Sequence, residues 1–220
     1  MIQPLPMGPF RVISADPPWP FETFSDAGKG KSPERHYPTM EVDEICAMNV
    51  RDVAADNCAL FIWTTWPNIF NTERVIRAWG FRYSGLAWEW IKRNPLTGKY
   101  AFGGGYGTRK NLEPCLLATR GSPKVLDRSV RDFLYAPRRE HSRKPDEHFE
   151  RVEKLYRGPY LELFSREDRP GWTSWGNETG RFGPEGDRGA PPSITPVLDP
   201  ARMVGRERTA PAENQDLFDA

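Results

Sequence analysis

The stretch VISADPPWPF, residues 12–21, begins as a buried strand and ends in a carboxylate held among prolines. Val12–Ala15 is a short apolar run of the kind that forms a strand covered on both faces. Asp16 follows it directly, and the prolines after it each fix their own φ, lack an N–H and restrict the residue before them. The pattern predicts one carboxylate in a rigid position at the end of a central strand.

Strands and helices are predicted to alternate along the chain from this point. Further apolar runs predict strands at Cys58–Trp63, Gly85–Ile91, Cys115–Thr119 and Tyr160–Phe164. Helical spacing predicts helices at Val42–Met48, from Pro67 to Gly80, and from Pro145 to Tyr156. The alternation favours an α/β sheet with helices on both faces. Ligands of such sheets bind beyond the carboxyl ends of the strands, where Asp16 is expected.

Composition limits the number of domains and the class of protein. The 220 residues, 38% of them hydrophobic, can fill one sizeable core, so we predict one domain over residues 1–178. After Asn177 the chain is rich in Gly, Pro and charge, and residues 179–220 are predicted to be a disordered tail. No run approaches the about 20 apolar residues of a membrane-spanning helix, and no signal-peptide pattern is present. We therefore expect a cytoplasmic protein that does not associate with a membrane.

The formal net charge of +1 argues against a strongly basic nucleic-acid-binding surface, but the positive residues are clustered. Four clusters fall in segments interpreted as loops: Lys29, Lys31 and Arg35; Lys92 and Arg93; Arg109 and Lys110; and Arg138, Arg139, Arg143 and Lys144. Loops on one edge of a sheet can converge on a phosphate backbone. Scattered, solvated charge is the alternative.

Metal and disulfide chemistry is not indicated. The three cysteines are isolated, and the three histidines show no metal-ligand spacing, so we expect no metal site. The last residues, NQDLFDA, weakly resemble peptides that bind replication sliding clamps, although strings this short arise easily by chance.

The proline-bounded carboxylate suits an amino group. Asp16 and the carbonyl of Pro17 would form two fixed acceptors for the two hydrogens of an exocyclic amine. Because the amine of adenine is a poor nucleophile, acceptors that draw on its hydrogens would favour the pyramidal, nucleophilic form. Trp19 could stack on a flipped base, a contact worth about 1–3 kcal/mol. The alternative for this tetrapeptide alone is a turn with a packed tryptophan.

Six segments in order carry a family resemblance. They are ADPPW at 15–19, HYPTMEVDEI at 36–45, LFIWTTW at 60–66, GYGTRKNLEPCLLATRG at 105–121, HSRKPDE at 141–147 and LELFSREDRPGWTSWGNE at 161–178. With these segments the sequence resembles the N6-adenine methyltransferase family of the eukaryotic messenger-RNA adenosine methyltransferase catalytic subunit, the MT-A70 family, as a bacterial or phage member.

The resemblance implies a fold and a set of site residues. It implies a Rossmann-like methyltransferase with a mixed, mostly parallel sheet, in which the catalytic motif precedes the cofactor-binding strand. The cofactor implied is S-adenosylmethionine. The catalytic motif would be Asp16, Pro17, Pro18 and Trp19. Cofactor-binding residues would be Asp16, Lys144, Arg166, Asn177 and Glu178, and substrate-side residues would be Trp19, Tyr37, Asn111 and Glu113.

We therefore expect an active, adenine-specific methyltransferase, since the catalytic motif and the positions for the cofactor are intact. DNA is the expected substrate because the chain shows no appended RNA-binding module. The same reaction on RNA remains open, and so does a silent nucleic-acid-binding adaptor with a methyltransferase fold. The resemblance also allows a homodimer.

Overall fold

The computed structural model describes residues 3–20, 39–101, 103, 107–139, 143–177 and 179. The strands are β1 (Phe10–Ala15), β2 (Ala54–Trp63), β3 (Arg82–Arg93), β4 (Leu112–Arg120), β5 (Phe133–Pro137), β6 (Tyr160–Leu163) and β7 (Trp172–Trp175). The helices are α1 (Val42–Cys46), α2 (Val50–Val53), α3 (Ile69–Ala78) and α4 (Asp146–Leu155), with a short 3-10 turn at Trp66–Asn68. The predicted tail, apart from Thr179, lies outside the described residues.

The strands form one seven-stranded sheet in the order β5-β3-β4-β2-β1-β6-β7. β1 pairs in parallel with β2 and β6, β6 with β7, and β3 with β5. β4 runs antiparallel to both of its neighbours, β2 and β3. The predicted α/β class and the mixed, mostly parallel sheet are therefore confirmed.

Alternating side chains of the central strands face two separate cores, as the period of two along a strand requires. One core lies against α1 and α3, and β1 contributes Ile13 and Ala15 to it. The other lies against α4, and here β1 contributes Val12. Because successive residues alternate between the faces, Ser14 and the following Asp16 belong on the α4 side.

A cluster of rings fills the core under α4. We call Phe61, Trp63, Trp88 and His148 the aromatic box; each is at most 1% exposed. The His148 ring centroid lies 5.1 Å from that of Trp63 and 5.2 Å from that of Trp88. Its Nε2 is 2.8 Å from Ser14 Oγ on β1. Burial lowers the pKa of His148 well below its usual range, so the ring is neutral.

Two strands were not predicted from the sequence, and one basic cluster was assigned to the wrong type of element. β5 and β7 are five and four residues long, too short for a clear pattern, and they depend on pairing with β3 and β6. The interpretation of Lys92 and Arg93 as loop residues was wrong, because β3 continues through both. In the described part of the chain no helix is long and apolar enough to cross a membrane.

Candidate active site

One edge of the sheet collects most of the predicted site residues. β1, β2, β6 and β7 run in parallel, so their carboxyl ends share this edge, where Asp16 follows β1. β4 runs the opposite way beside β2, which brings its first residues to the same edge. β3 is antiparallel to β4, and its last residues therefore arrive here too.

Four charged side chains form a continuous chain of contacts at this edge, and we call them the charged cluster. Lys144 Nζ lies 2.7 Å from Asp16 Oδ2 and 2.7 Å from Glu113 Oε1. The other oxygen of Glu113 pairs with Lys92 Nζ. The Lys144 side chain is 8% exposed and that of Glu113 is 14% exposed, so the contacts are largely shielded from water.

Strand periodicity explains why these groups meet. Trp88 and Trp90 of β3 point to the α4 face, and Lys92 continues that register. Cys115 of β4 points to the same face, so Glu113 does as well. Lys144 precedes α4, and its neighbour Arg143 makes two hydrogen bonds to the Glu167 carboxylate, 3.2 Å and 3.0 Å long, in the loop after β6.

Burial and charge pairing act in opposite directions within the charged cluster. Burial raises the pKa of Asp16, and the Lys144 ammonium opposes that effect. For Glu113, burial is outweighed by Lys144 and Lys92, which hold its pKa at about 2. Burial would lower the pKa of Lys144, but the two carboxylates outweigh it and raise this pKa above its usual value. Lys144 is therefore a fixed cation beside Asp16.

The proline motif is folded tightly. Trp19 N–H donates to Pro17 O at 2.8 Å, and Met40 N–H donates to Pro18 O at 2.9 Å. The Pro17 carbonyl, predicted as the second acceptor for an amine, keeps one lone pair for it. Trp19 is 8% exposed and its indole N–H donates to Trp63 O at 2.9 Å, so most of this ring is packed in the protein core.

Two strained or close backbone positions shape the loops after β6 and β7. Phe164, directly after β6, has φ +62°, which costs a non-glycine residue on the order of 1–3 kcal/mol. A Cβ at Gly176 would lie 2.6 Å from Ser165 O, so glycine is required there. These turns carry Arg166 and Asn177 to the edge with Asp16, and the positive charge of Arg166 opposes the rise that burial causes in the pKa of Asp16.

Glu162 is a buried carboxylate near the candidate site that the sequence analysis did not single out. It lies on β6 opposite Ser14 of β1, on the same face as Asp16. Burial raises its pKa to about 7, and its buried Oε2 has no hydrogen-bond partner among the described residues. The signal was available, because a lone glutamate inside the apolar run YLELF is a polar group without an evident partner.

The remaining predicted positions are placed less completely. Asn111 precedes β4, and its carbonyl accepts the N–H of Lys92 at 2.9 Å, so it lies beside Glu113. Tyr37 and Glu178 lie outside the described residues, so their predicted roles stay predictions. Within the part of the chain that the structure describes, no group of three or more His, Cys, Asp or Glu side chains could hold a metal ion.

Comparison with known proteins identifies relatives across most of the chain. Residues 10–178 match the family model MT-A70. Type II methyltransferase M.MunI from a Mycoplasma species is 31% identical over 193 residues, covering 79% of each chain. An N(6)-adenosine-methyltransferase MT-A70-like protein of Arabidopsis thaliana is 32% identical over 78% of this chain but only 24% of its own length. The human N(6)-adenosine-methyltransferase catalytic subunit METTL3 is 30% identical over 78% of this chain and 28% of its own length.

Proposed function

The chain belongs to the MT-A70 family of methyltransferases, and on that premise we propose that it methylates the N6 amine of adenine in DNA, with S-adenosylmethionine as methyl donor. The observation that carries the proposal is the contact between Asp16 and Lys144 at the carboxyl ends of the parallel strands. It supplies a shielded carboxylate with an adjacent fixed cation, at the position where α/β sheets bind ligands.

In this proposal Asp16 accepts a hydrogen bond from the exocyclic amine and orients its lone pair. The Pro17 carbonyl supplies the second acceptor through its remaining lone pair. The new N–C bond would form as the methyl–sulfur bond of the donor breaks, with S-adenosylhomocysteine as the leaving group. The nitrogen would then carry positive charge, and its proton would be acidic enough to pass to Asp16 or to solvent without a strong base. Lys144 supports this role because its positive charge favours ionised Asp16 against the effect of burial.

S-adenosylmethionine supplies a methyl group on a positively charged sulfur, together with an amino-acid end and a ribose. The residues present fit these groups. Lys144 and Arg166 are cations that could pair with the carboxylate of the amino-acid end. Asn177 follows the end of β7, the strand beside β6. The Oε2 of Glu162, which has no hydrogen-bond partner within the described part of the chain, is an acceptor that an ammonium or a hydroxyl group would satisfy.

On the substrate side, Glu113 is linked to Asp16 through Lys144, Asn111 lies near Glu113, and Trp19 belongs to the proline motif. A flipped adenine would lie against the open side of this edge, because the Lys144 ammonium occupies the space between the two carboxylates. Tyr37 is proposed to contact the same base. Because the Trp19 ring is mostly packed, we propose that it contacts the base through the small fraction of its surface that is exposed.

The choice of DNA is supported by the Mycoplasma type II methyltransferase, whose length the chain matches over 79%. The N(6)-adenosine methyltransferases, such as METTL3, are the observation in favour of RNA, and the chain spans only about a quarter of those proteins. RNA is the second candidate substrate for the same chemistry.

The test is methyl transfer from tritiated S-adenosylmethionine to duplex DNA, single-stranded DNA and RNA in parallel, followed by nucleoside mass spectrometry. We expect N6-methyladenine in the DNA pools, and about a thousandfold less of it with Asp16→Asn. Methylation of RNA alone would overturn the choice of DNA. Methylation at another position, or full turnover by Asp16→Asn, would overturn the proposed mechanism. Calorimetry with S-adenosylhomocysteine separates an inactive protein that binds the cofactor from one that does not.

A further inference from the structure

Lys92 contacts the proposed catalytic site only through another residue. It is the penultimate residue of β3, and its ammonium pairs with one oxygen of Glu113 while Lys144 Nζ contacts the other at 2.7 Å. Lys92 Nζ also lies 4.9 Å from the centre of the Trp90 ring on the same strand. Two lysines therefore share one carboxylate, and only Lys144 also contacts Asp16.

The charges in this cluster are balanced, and Lys92 is needed for the balance. Two carboxylates and two ammonium groups alternate in the order Asp16, Lys144, Glu113, Lys92. Without Lys92, a single ammonium would face two carboxylates in a shielded site. One of the carboxylates would then tend to take up a proton, because burial disfavours an uncompensated charge.

Asp16 is the less strongly supported of the two carboxylates. Burial raises its pKa with Lys144 opposing, whereas Lys144 and Lys92 together hold the pKa of Glu113 at about 2. Without Lys92, Glu113 would compete with Asp16 for the single Lys144 ammonium that contacts both. Among the residues that the structure describes, the other titratable or charged groups coupled to the cluster include Arg166, Glu162, Cys115 and His148. Of these, Arg166 favours ionised Asp16 and Glu162 opposes it.

We propose that Lys92 is a positioning residue of the methyl-transfer site: by holding one oxygen of Glu113, it leaves the Lys144 ammonium available to Asp16 and keeps Asp16 ionised. This inference rests on the proposed role of Asp16 in the reaction. It assigns Lys92 an effect on reactivity that requires no contact with the base or the cofactor.

The first experiment is the pH dependence of kcat/KM for wild type, Lys92→Met and Lys92→Arg. We expect the acid limb of Lys92→Met to move up by about one pH unit, the lower end of the range for loss of a nearby opposite charge. At pH values below the acid limb, the kcat/KM of Lys92→Met should be about tenfold lower than that of wild type. At high pH the two values should be similar. Lys92→Arg restores the wild-type limb. Lys99→Met, an exposed lysine after β3, is the matched control and leaves the profile unchanged.

The double variant Lys92→Met with Glu113→Gln is the sharpest test. It removes one negative and one positive charge, so the pair of Asp16 and Lys144 is again balanced. We expect the acid limb to return to its wild-type position even if kcat stays low through loss of the Glu113 carboxylate. A limb that stays shifted in the double variant would contradict an action through Glu113.

A carbon-13 NMR titration of the side-chain carboxyl groups gives a readout that needs no activity. Asp16→Asn and Glu113→Gln assign the two signals, and the Asp16 signal of Lys92→Met should titrate at higher pH than that of wild type. If wild type transfers no methyl group but this shift is seen, the proposed function fails while the electrostatic role of Lys92 stands.

Two outcomes would overturn the inference. If Lys92→Met weakens nucleic-acid binding and reduces its salt dependence with an unchanged pH profile, Lys92 is a phosphate contact. If Lys92→Met lowers the unfolding temperature, leaves both the profile and the NMR titration unchanged, and Lys92→Arg behaves in the same way, its role is structural.

Discussion

The charged cluster and the aromatic box lie side by side on the α4 face of the same sheet, and they differ in how their buried polar groups are compensated. In the charged cluster, Asp16, Lys92, Glu113 and Lys144 each contact an opposite charge. In the aromatic box, the rings pack closely, while Trp63 Nε1, Trp88 Nε1 and His148 Nδ1 have no hydrogen-bond partner among the described residues. Trp63 joins the two regions, because its ring centre lies 5.3 Å from Lys144 Nζ.

This difference separates reactivity from stability. Buried ion pairs are weak evidence for stability, since desolvation offsets much of their attraction, so a cluster of four charges indicates a function. Buried rings contribute large apolar areas and dominate the energetics of a core. Substitutions in the charged cluster should therefore change activity first, and substitutions in the aromatic box should change stability first.

The largest effect is expected for Asp16→Asn. The substitution keeps the shape but removes the negative charge, so methyl transfer should fall by about a thousandfold. The unfolding free energy should change less than in any substitution that empties the aromatic box, because Lys144 keeps Glu113 as a partner. Single-turnover assays and thermal unfolding measure the two effects, with the exposed Asp132→Asn as control. If Asp16→Asn loses activity only because it unfolds, the separation of activity from stability between the two regions would be wrong.

Phe61→Ala should give the reverse result. Phe61 is fully buried, and its ring centre lies 5.2 Å from that of Trp88 in a stacked arrangement. Truncation should cost about 3–5 kcal/mol and lower Tm by about 2–4 °C for each kcal/mol. Well below Tm, the kcat of the folded protein should stay within a few-fold of wild type. Loss of activity without loss of stability would show that the aromatic box takes part in the reaction.

Lys144→Met should weaken binding of S-adenosylhomocysteine. Removing a hydrogen bond between charged groups costs about 1.5–3 kcal/mol, or roughly 10- to 150-fold in Kd. The variant also leaves Asp16 and Glu113 facing each other, so its loss of stability should be greater at pH 8 than at pH 5, where protonation relieves the repulsion. Calorimetry and thermal unfolding measure both, with Lys154→Met on the exposed surface of α4 as control. Unchanged affinity would remove Lys144 from the cofactor site.

The smallest effect is expected for Glu162→Gln. The pKa of Glu162 is raised to about 7, so between about pH 4.5 and 7 the unfolded chain releases a proton that the folded protein keeps. Wild-type stability should therefore fall as pH rises through this window. The glutamine variant should be more stable at pH 8 by an amount on the order of 1 kcal/mol, yet bind S-adenosylhomocysteine more weakly. Exposed Glu150→Gln serves as control; equal differences from wild type at pH 5 and pH 8 would contradict the raised pKa.

Much of this architecture could be predicted from the sequence because the signals are local. The apolar run before Asp16, the helix after Pro67 and the helix after Pro145 are all present as β1, α3 and α4. Two short strands were missed because β5 and β7 are stabilised by pairing rather than by their own pattern. Lys92 was predicted to be a loop cation that faces either a phosphate backbone or solvent, since a lysine near a Gly-rich segment gives no indication of a carboxylate on the neighbouring strand.

The sequence by itself determined that a lone carboxylate ends a central strand and that an α/β sheet surrounds it, because proline stereochemistry and apolar periodicity act over a few residues. Only the tertiary structure decided that Lys144 contacts Asp16 and that Glu113 and Lys92 are linked to Asp16 through Lys144. These residues are separated by tens of positions along the chain, and they meet because β3 and β4 reverse direction at the sheet edge while α4 covers the same face. Coulomb interactions depend on distance in space, which strand order and register fix and which local sequence does not encode.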